Sequence, residues 1–335
     1  MEETDDRFAD VPDHGGVRGF EPAFLEADGL RTRYYEVGEG EPLVLLHGGL
    51  WNGSSSANDW APAFDPLGER FHTLAFDRVG CGLTDNPDAV EDYCFRTELD
   101  HALAVVDALG IEEYHLCGTS RGAGLAAWLA VEYPERVRTL TLTNSHTLGP
   151  KSGDRAHRSD RLLKPDGVEY GSTDSEWYRF QHEQFSHRTG HVTEEFCRTA
   201  AALRSRPKAE TTAEMMAEHG EAFEEGVAER MVETRRRLRA GAFEKPALYV
   251  YGHNDMTVPF RTAVGAFELL GQANPRARLE VIGRCGHMPF REYPGEFAGR
   301  LRAFVDREAG EGTGSDASGT AATACGPRGG AREGD

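Results

Sequence analysis

The chain has 335 residues, enough to bury one large core carrying an insertion or two modest domains; one domain with a cap is the starting expectation. Its net charge of −19, from 37 basic and 56 acidic residues, argues against a nucleic-acid backbone or an anionic membrane surface as main partner and favours a small-molecule substrate. The six cysteines (Cys81, Cys94, Cys117, Cys197, Cys285, Cys325) form no CxxC pair and no zinc-like spacing, so reduced thiols in a cytoplasm and no metal are expected.

The N-terminus, MEETDDRFADVPDHGG, is acidic and lacks a basic region followed by an apolar run. No later stretch approaches the roughly 18 consecutive apolar residues of a membrane span, so a soluble, unexported protein is expected. Residues 1–18 are expected to be a disordered tail. LRTRYYEVG (30–38), PLVLLHGG (42–49), FHTLAFD (71–77), EYHLCG (113–118) and VRTLTLTNS (137–145) read as strands, as do ALYVYGHND (247–255) and ARLEVIGRCGH (277–287). The runs at 42–46, 115–117 and 247–251 are almost continuously apolar, as parallel strands covered on both faces require. Helical patterns at 97–110, 121–134, 262–271 and 294–308 alternate with them, which implies a mostly parallel α/β sheet flanked by helices. The charged stretch 146–244 breaks the alternation and reads as an inserted helical cap, leaving 19–145 and 245–308 as the core. Residues 309–335 are almost free of large apolar side chains and read as a second disordered tail.

LCGTSRGAG (116–124) follows a strand and opens an alanine-rich helix, the context that gives a G-x-S-x-G match its meaning. So sharp a turn needs small flanking residues, supplied by Gly118 and Gly122, and Ser120 is the candidate nucleophile. A glycine turn that only packs a helix on the sheet is the competing reading. A serine nucleophile needs a base, and the base an orienting acid. His287, in RCGHMPF beyond the last strand, and Asp255, in YGHNDMTVP after the preceding one, fall at carboxyl ends of strands over the same crevice. Asn254 lacks the charge to stabilise an imidazolium, and His253 reads as structural. For the oxyanion hole, LLHGGLWNG offers backbone N–H groups at Gly48 and Gly49; the amides of Gly49 and Arg121 are assigned to it, with His47 organising the loop. Asp77, in FDRVGCG, reads as a turn-stabilising carboxylate. His182, His187 and His191 lack a carboxylate-rich ligand set and read as solvated histidines on helix faces. Arg121 sits at a helix N-terminus, where the dipole disfavours its charge, so its side chain is expected to turn from the reacting carbonyl towards a carboxylate.

HGG, DRVGCG, GTSRG, GHNDMTVP and GRCGHMPFREYP occur in the order found in the α/β-hydrolase superfamily, which the chain resembles over about residues 28–308. Within it, LLHGGLWNGSSSANDW and LRAGAFEKPALYVYGHND are similar to segments of the meta-cleavage-product hydrolases, which split carbon–carbon bonds in vinylogous 1,5-diketones. That resemblance implies a Ser-His-Asp hydrolase needing no cofactor, acting through an acyl-enzyme or a gem-diol, for which a homodimer would be unsurprising. It places a substrate-holding asparagine at Asn58 and a carboxylate-binding cap arginine at Arg198, with Arg204 and Arg206 as competitors. Gly48, Thr119 and Met288 complete the implied substrate shell. The last two stand where the group usually has asparagine and tryptophan, so the substrate is expected to differ from the group's usual ones. A carboxylesterase, lactonase or thioesterase would use the same three residues, and a ligand-binding member that keeps the fold without catalysis is a third reading. Serine at the elbow disfavours haloalkane dehalogenase or epoxide hydrolase chemistry, which uses aspartate.

Overall fold

The computed structural model describes residues 6–49, 51, 55–149 and 173–312. Eight strands form one sheet: β1 Ala23–Ala27, β2 Leu30–Val37, β3 Glu41–Leu46, β4 Phe71–Phe76, β5 Tyr114–Thr119, β6 Val137–Thr143, β7 Ala247–Gly252 and β8 Ala277–Ile282. Their order is β1-β2-β4-β3-β5-β6-β7-β8, with β1 and β2 antiparallel and every pair from β4 to β8 parallel. The helices are α1 Ala61–Gly68, α2 Phe95–Ala108, α3 Arg121–Glu132, α4 Ser175–Phe185, α5 Glu194–Arg204, α6 Pro207–Arg239, α7 Phe260–Gly271, the single turn α8 Pro289–Glu292, and α9 Pro294–Gly312.

Side-chain alternation assigns the two faces. On β3, Val44 and Leu46 enter the core formed with α2, α3, α6 and α7, whereas Leu43 and Leu45 enter the one formed with α1 and α9. A third cluster, centred on Trp177, Tyr178, Phe196 and Ala201, joins α4 to α5 above the sheet.

Three sequence expectations need correction or delimitation. Within the expected N-terminal tail, residues 14–17 pack on the core: Val17 is buried, and the buried Arg33 guanidinium donates to the carbonyls of His14 (3.1 Å) and Gly15 (3.0 Å). Composition favours disorder there because the contacts are backbone carbonyls, which no side-chain pattern reveals. At the other end α9 runs on to Gly312, and the rest of the expected C-terminal tail, 313–335, lies outside the described residues. Between 173 and 244 the described residues form α4, α5 and α6 and no strand, while 150–172 lie outside them.

Candidate active site

The parallel strands end on one side of the sheet, and the loops leaving β3, β5, β6, β7 and β8 meet there. At the end of β5, Ser120 adopts φ 51° and ψ −117°, a conformation that costs a non-glycine residue about 1–3 kcal/mol and persists only where the surroundings enforce it. Its N–H donates to the Thr143 carbonyl at 3.0 Å. Gly118 and Gly122 are required by close approach: a Cβ on either would collide with backbone, of Gly122 in the first case and of Leu46 and His47 in the second. The turn thus lifts Ser120 into the wall of a cavity of about 510 Å³ that His287 also lines.

His287 is held from three sides. Its backbone N–H donates to the Phe185 carbonyl of α4 at 2.7 Å, and its Nδ1 lies 2.8 Å from both Asp255 Oδ2 and Thr257 Oγ1. Asp255 is buried; its Oδ1 accepts from the Thr257 N–H, Thr257 Oγ1 and the Val258 N–H, and its Oδ2 from Asn144 Nδ2 at 2.6 Å. With those acceptors opposite, Nδ1 carries the ring proton and Nε2 is left unprotonated. Burial pushes the Asp255 carboxyl up, but attraction to His287 and its hydrogen bonds outweigh that and hold it below the ordinary carboxylate value. Burial works against a charged His287, yet the Asp255 charge prevails and raises the imidazole above its ordinary value.

Gly48 lies against Ser120, so that a Cβ there would come within 2.9 Å of the serine Cβ, and Gly49 has φ +82°. The loop is fixed by Arg78, whose Nη2 donates to the Gly48 and Gly49 carbonyls at 3.0 Å each while Nη1 pairs with Glu98 at 2.6 Å. His47 accepts the Arg78 N–H at Nε2 (3.0 Å) and so donates from Nδ1 to the Gly48 carbonyl (2.8 Å). Burial lowers its pKa to about 4, which keeps it neutral and makes it a loop organiser rather than a second base. The Arg121 N–H, first in α3, has no intrahelical acceptor and is available beside Ser120. Its side chain turns to Glu224 of α6, 2.6 Å away, as the dipole argument expects. Asp77 accepts from Arg33, the Ala57 N–H and the Leu83 N–H, a turn-stabilising role.

Several substrate-shell expectations change. Arg198 does not reach the cavity: it sits on the outer face of α5, paired with Asp10 and the Arg7 carbonyl. Arg204, one of its competitors, lines the cavity and has no ion-pair or hydrogen-bond partner among the described residues, whereas Arg206 donates to the Asp13 carbonyl. Six residues, about 1.7 turns, separate 198 and 204 on a helix, so sequence position alone could not say which faces inward. Asn58 lines the cavity, but its carboxamide is committed to the scaffold, accepting from Tyr35 (2.6 Å) and Arg33 and donating to the Gly15 carbonyl (3.0 Å). Gly48, Thr119 and Met288 all line the cavity, and the Thr119 hydroxyl finds no partner. His182 is not on a solvated face: it lines the cavity and packs edge-on against Phe196. His191 is partly buried and accepts from Arg291 Nε, while His187 is exposed. His253 is exposed and packs on Phe260.

Four residues of the site escaped sequence reasoning. Thr257 was legible as the third residue of an Asp-x-Thr turn, and Asn144, at φ 40°, as an asparagine in the left-handed region at a strand end. Arg78 and Glu224 had no local signal, because their partners are distant in the chain. Among the described residues no group of three or more His, Cys, Asp or Glu is placed to hold a metal ion.

An eight-stranded, mostly parallel sheet with a strained serine at the β5–α3 turn defines an α/β-fold hydrolase. The family model described as alpha/beta hydrolase fold matches residues 41–294, and the chain belongs to that family. Within it the chain resembles the meta-cleavage-product hydrolases. A 2-hydroxymuconate semialdehyde hydrolase of Pseudomonas putida is 30% identical over 283 residues, covering 83% of this chain and 92% of the relative. A 2-hydroxy-6-oxo-6-(2'-aminophenyl)hexa-2,4-dienoic acid hydrolase of Metapseudomonas resinovorans is 25% identical, covering 85% and 91%. Among solved structures, a meta-cleavage product hydrolase from Pseudomonas fluorescens IP01 superposes with a TM-score of 0.64 at 25% identity, covering 85% of this chain and 97% of that one.

Proposed function

We propose that the chain hydrolyses a carbon–carbon bond in a 2-hydroxy-6-oxo-dienoate, with Ser120 as nucleophile, His287 as general base and Asp255 as its orienting partner. The observation that carries this reading is one cavity lined by Ser120, by His287 with Asp255 hydrogen-bonded behind it, and by Arg204, a cation with no carboxylate partner among the described residues. An ester substrate gives no reason for such an arginine, whereas a dienoate carboxylate does, through a charge-assisted bidentate contact. The named substrates of several relatives share the 2-hydroxy-6-oxo-dienoate pattern or its semialdehyde counterpart, whereas another relative is a pimeloyl-[acyl-carrier protein] methyl ester esterase.

In this mechanism His287 promotes the shift of the substrate dienol to its keto form, placing a proton on C5, and then removes the Ser120 proton. Ser120 Oγ adds to the C6 carbonyl, and the N–H groups of Gly49 and Arg121 stabilise the resulting oxyanion. Collapse breaks the C5–C6 bond, the electron pair leaving with the dienoate fragment, which takes the proton from His287. Water, deprotonated by His287, hydrolyses the acyl-enzyme and releases a carboxylic acid.

Two variants test the assignment with a coloured 2-hydroxy-6-oxo-dienoate and a p-nitrophenyl ester side by side. Ser120→Ala should lose several powers of ten in kcat on the dienoate. Arg204→Leu should raise KM for the dienoate about ten-fold or more and leave the ester little affected. Rapid ester cleavage with an inert dienoate would instead assign the chain to the esterases.

A further inference from the structure

The cavity contains a carboxylate for which the proposed chemistry has no use. Asp59 lies in the short 3-10 helix Ala57–Trp60, its side chain one-fifth exposed, and lines the same cavity as Ser120. Its Oδ1 is 3.7 Å from Arg291 Nη1 and 3.9 Å from His182 Nε2, both beyond hydrogen-bond reach, and no described residue brings a closer donor. Burial pushes this carboxyl up, but His182 and Arg291 outweigh it and keep it ionised. Its two cationic neighbours balance its charge but stand beyond hydrogen-bond reach, so this cavity-facing carboxylate keeps acceptor oxygens that a substrate donor can fill.

The surroundings narrow what that donor is. Arg291 is buried and fixed, donating to the carbonyls of Asn58, Asp59 and His191, so Asp59 and Arg291 together are close to neutral. A neutral donor suits that pair better than an ammonium. The adjoining wall is aromatic: Phe196 lies edge-on to His182 at 4.8 Å, and Phe185 connects His182 to His287, with ring centroids 6.5 and 5.8 Å away. Arg204 lies eight residues beyond Phe196 on α5, about 12 Å along the axis at 1.5 Å per residue, so the anion-binding and donor-binding ends of the cavity are separate.

We propose that Asp59, with His182 beside it, is a specificity-determining subsite for a neutral hydroxyl or amino group on an aryl ring at the acyl end of the substrate. The dienoate half of this substrate rests on the carbon–carbon reading above; the donor subsite rests on Asp59 alone.

The test measures kcat/KM for 6-phenyl, 6-(hydroxyphenyl) and 6-(aminophenyl) dienoates, with substituents at each ring position. The same acyl groups are presented in parallel as p-nitrophenyl benzoates. Wild type should prefer at least one hydroxyl- or amino-bearing ring over phenyl by about ten-fold or more. That ratio should fall close to one in Asp59→Leu and to an intermediate value in Asp59→Asn, which keeps the size and one acceptor. If the dienoates are inert but the benzoates show the preference and its loss, the carbon–carbon reading fails and the subsite stands. A wild-type ratio near one in both series, or a ratio unchanged in Asp59→Leu, overturns the subsite.

Discussion

At the scale of single residues the site is governed by what surrounds His287. In the proposed mechanism His287 must be neutral to accept a proton, and the Asp255 charge raises its pKa, so activity is expected above that raised pKa and is lost as pH falls through it. The acid limb of kcat/KM against pH should therefore lie above the ordinary histidine value of 6.5. Asp255→Asn should move the limb to lower pH while reducing kcat, because the amide neither charges the pair nor selects the Nδ1–H tautomer. A limb at the same pH in both proteins would mean that another group titrates. Asn144 and Thr257 act one step further out, by holding the two oxygens of Asp255.

At the scale of elements the cap is not a separate body. On α6, Phe223, Val227, Met231 and Leu238 recur at helical spacing and belong to the same cluster as α2, α3 and β5. Val227 and Met231, both almost fully buried, should each cost about 2–5 kcal/mol when cut to alanine. Because the stripe joins cap to core, the loss should shift one unfolding transition seen alike by tryptophan fluorescence and circular dichroism. Two separate transitions would show the cap unfolding alone. The N-terminal segment is tied in the same way: deleting residues 1–18 removes the Gly15 carbonyl that accepts from both Arg33 and Asn58. Stranding those buried donors should cost about 1–3 kcal/mol each, which lowers Tm by several degrees in a chain of this size.

The same scale shows what was legible. Every strand expected from an apolar run is present, as is every expected helix of the core, because periodicity reports burial directly. β1 was missed although Asp28-Gly29 marks the hairpin; both residues have positive φ, and Ala27 pairs with Leu30. Its alternating AFLEA is short and half exposed, so composition outweighed the turn signal. α1 was missed because APAFDPLG carries a proline in its last turn. Ser120, His287 and Asp255, which the structure brings together at one cavity, could be singled out because each stands beside particular neighbours in sequence. Asp59 and Glu224 had no such neighbour, and Arg204 entered only as a competitor of Arg198, because which residues face the cavity or meet across helices depends on packing.

At the scale of the whole molecule, acid should unfold the protein through buried histidines outside the proposed Ser120, His287 and Asp255 set. His47, His101 and His115 are buried, and burial lowers the pKa of each to about 4. His101 shows why. Its Nε2 donates to Thr32 Oγ1, which itself donates to the Leu30 carbonyl, and its Nδ1 has no partner, so a proton placed there would be a dry, uncompensated charge. In the unfolded chain these rings titrate near the ordinary 6.5. Between that pH and about 4 the unfolded state binds more protons, so their contribution to stability is intact above 6.5 and shrinks as pH falls. Each proton is worth about 1.4 kcal/mol per pH unit, so three rings together rival a total stability of about 5–15 kcal/mol within two units. His191, lowered to about 2 by burial, acts in the same direction, and the raised pKa of His287 opposes them as one group against four. Urea midpoints measured from pH 7 to pH 4.5 should fall steeply, and His101→Gln, whatever its stability at pH 7, should show a slope shallower by about one proton. A flat wild-type profile, or an unchanged slope in the variant, would mean that these rings are protonated without unfolding and that the sheet is wetter at its histidines than the packing around them allows.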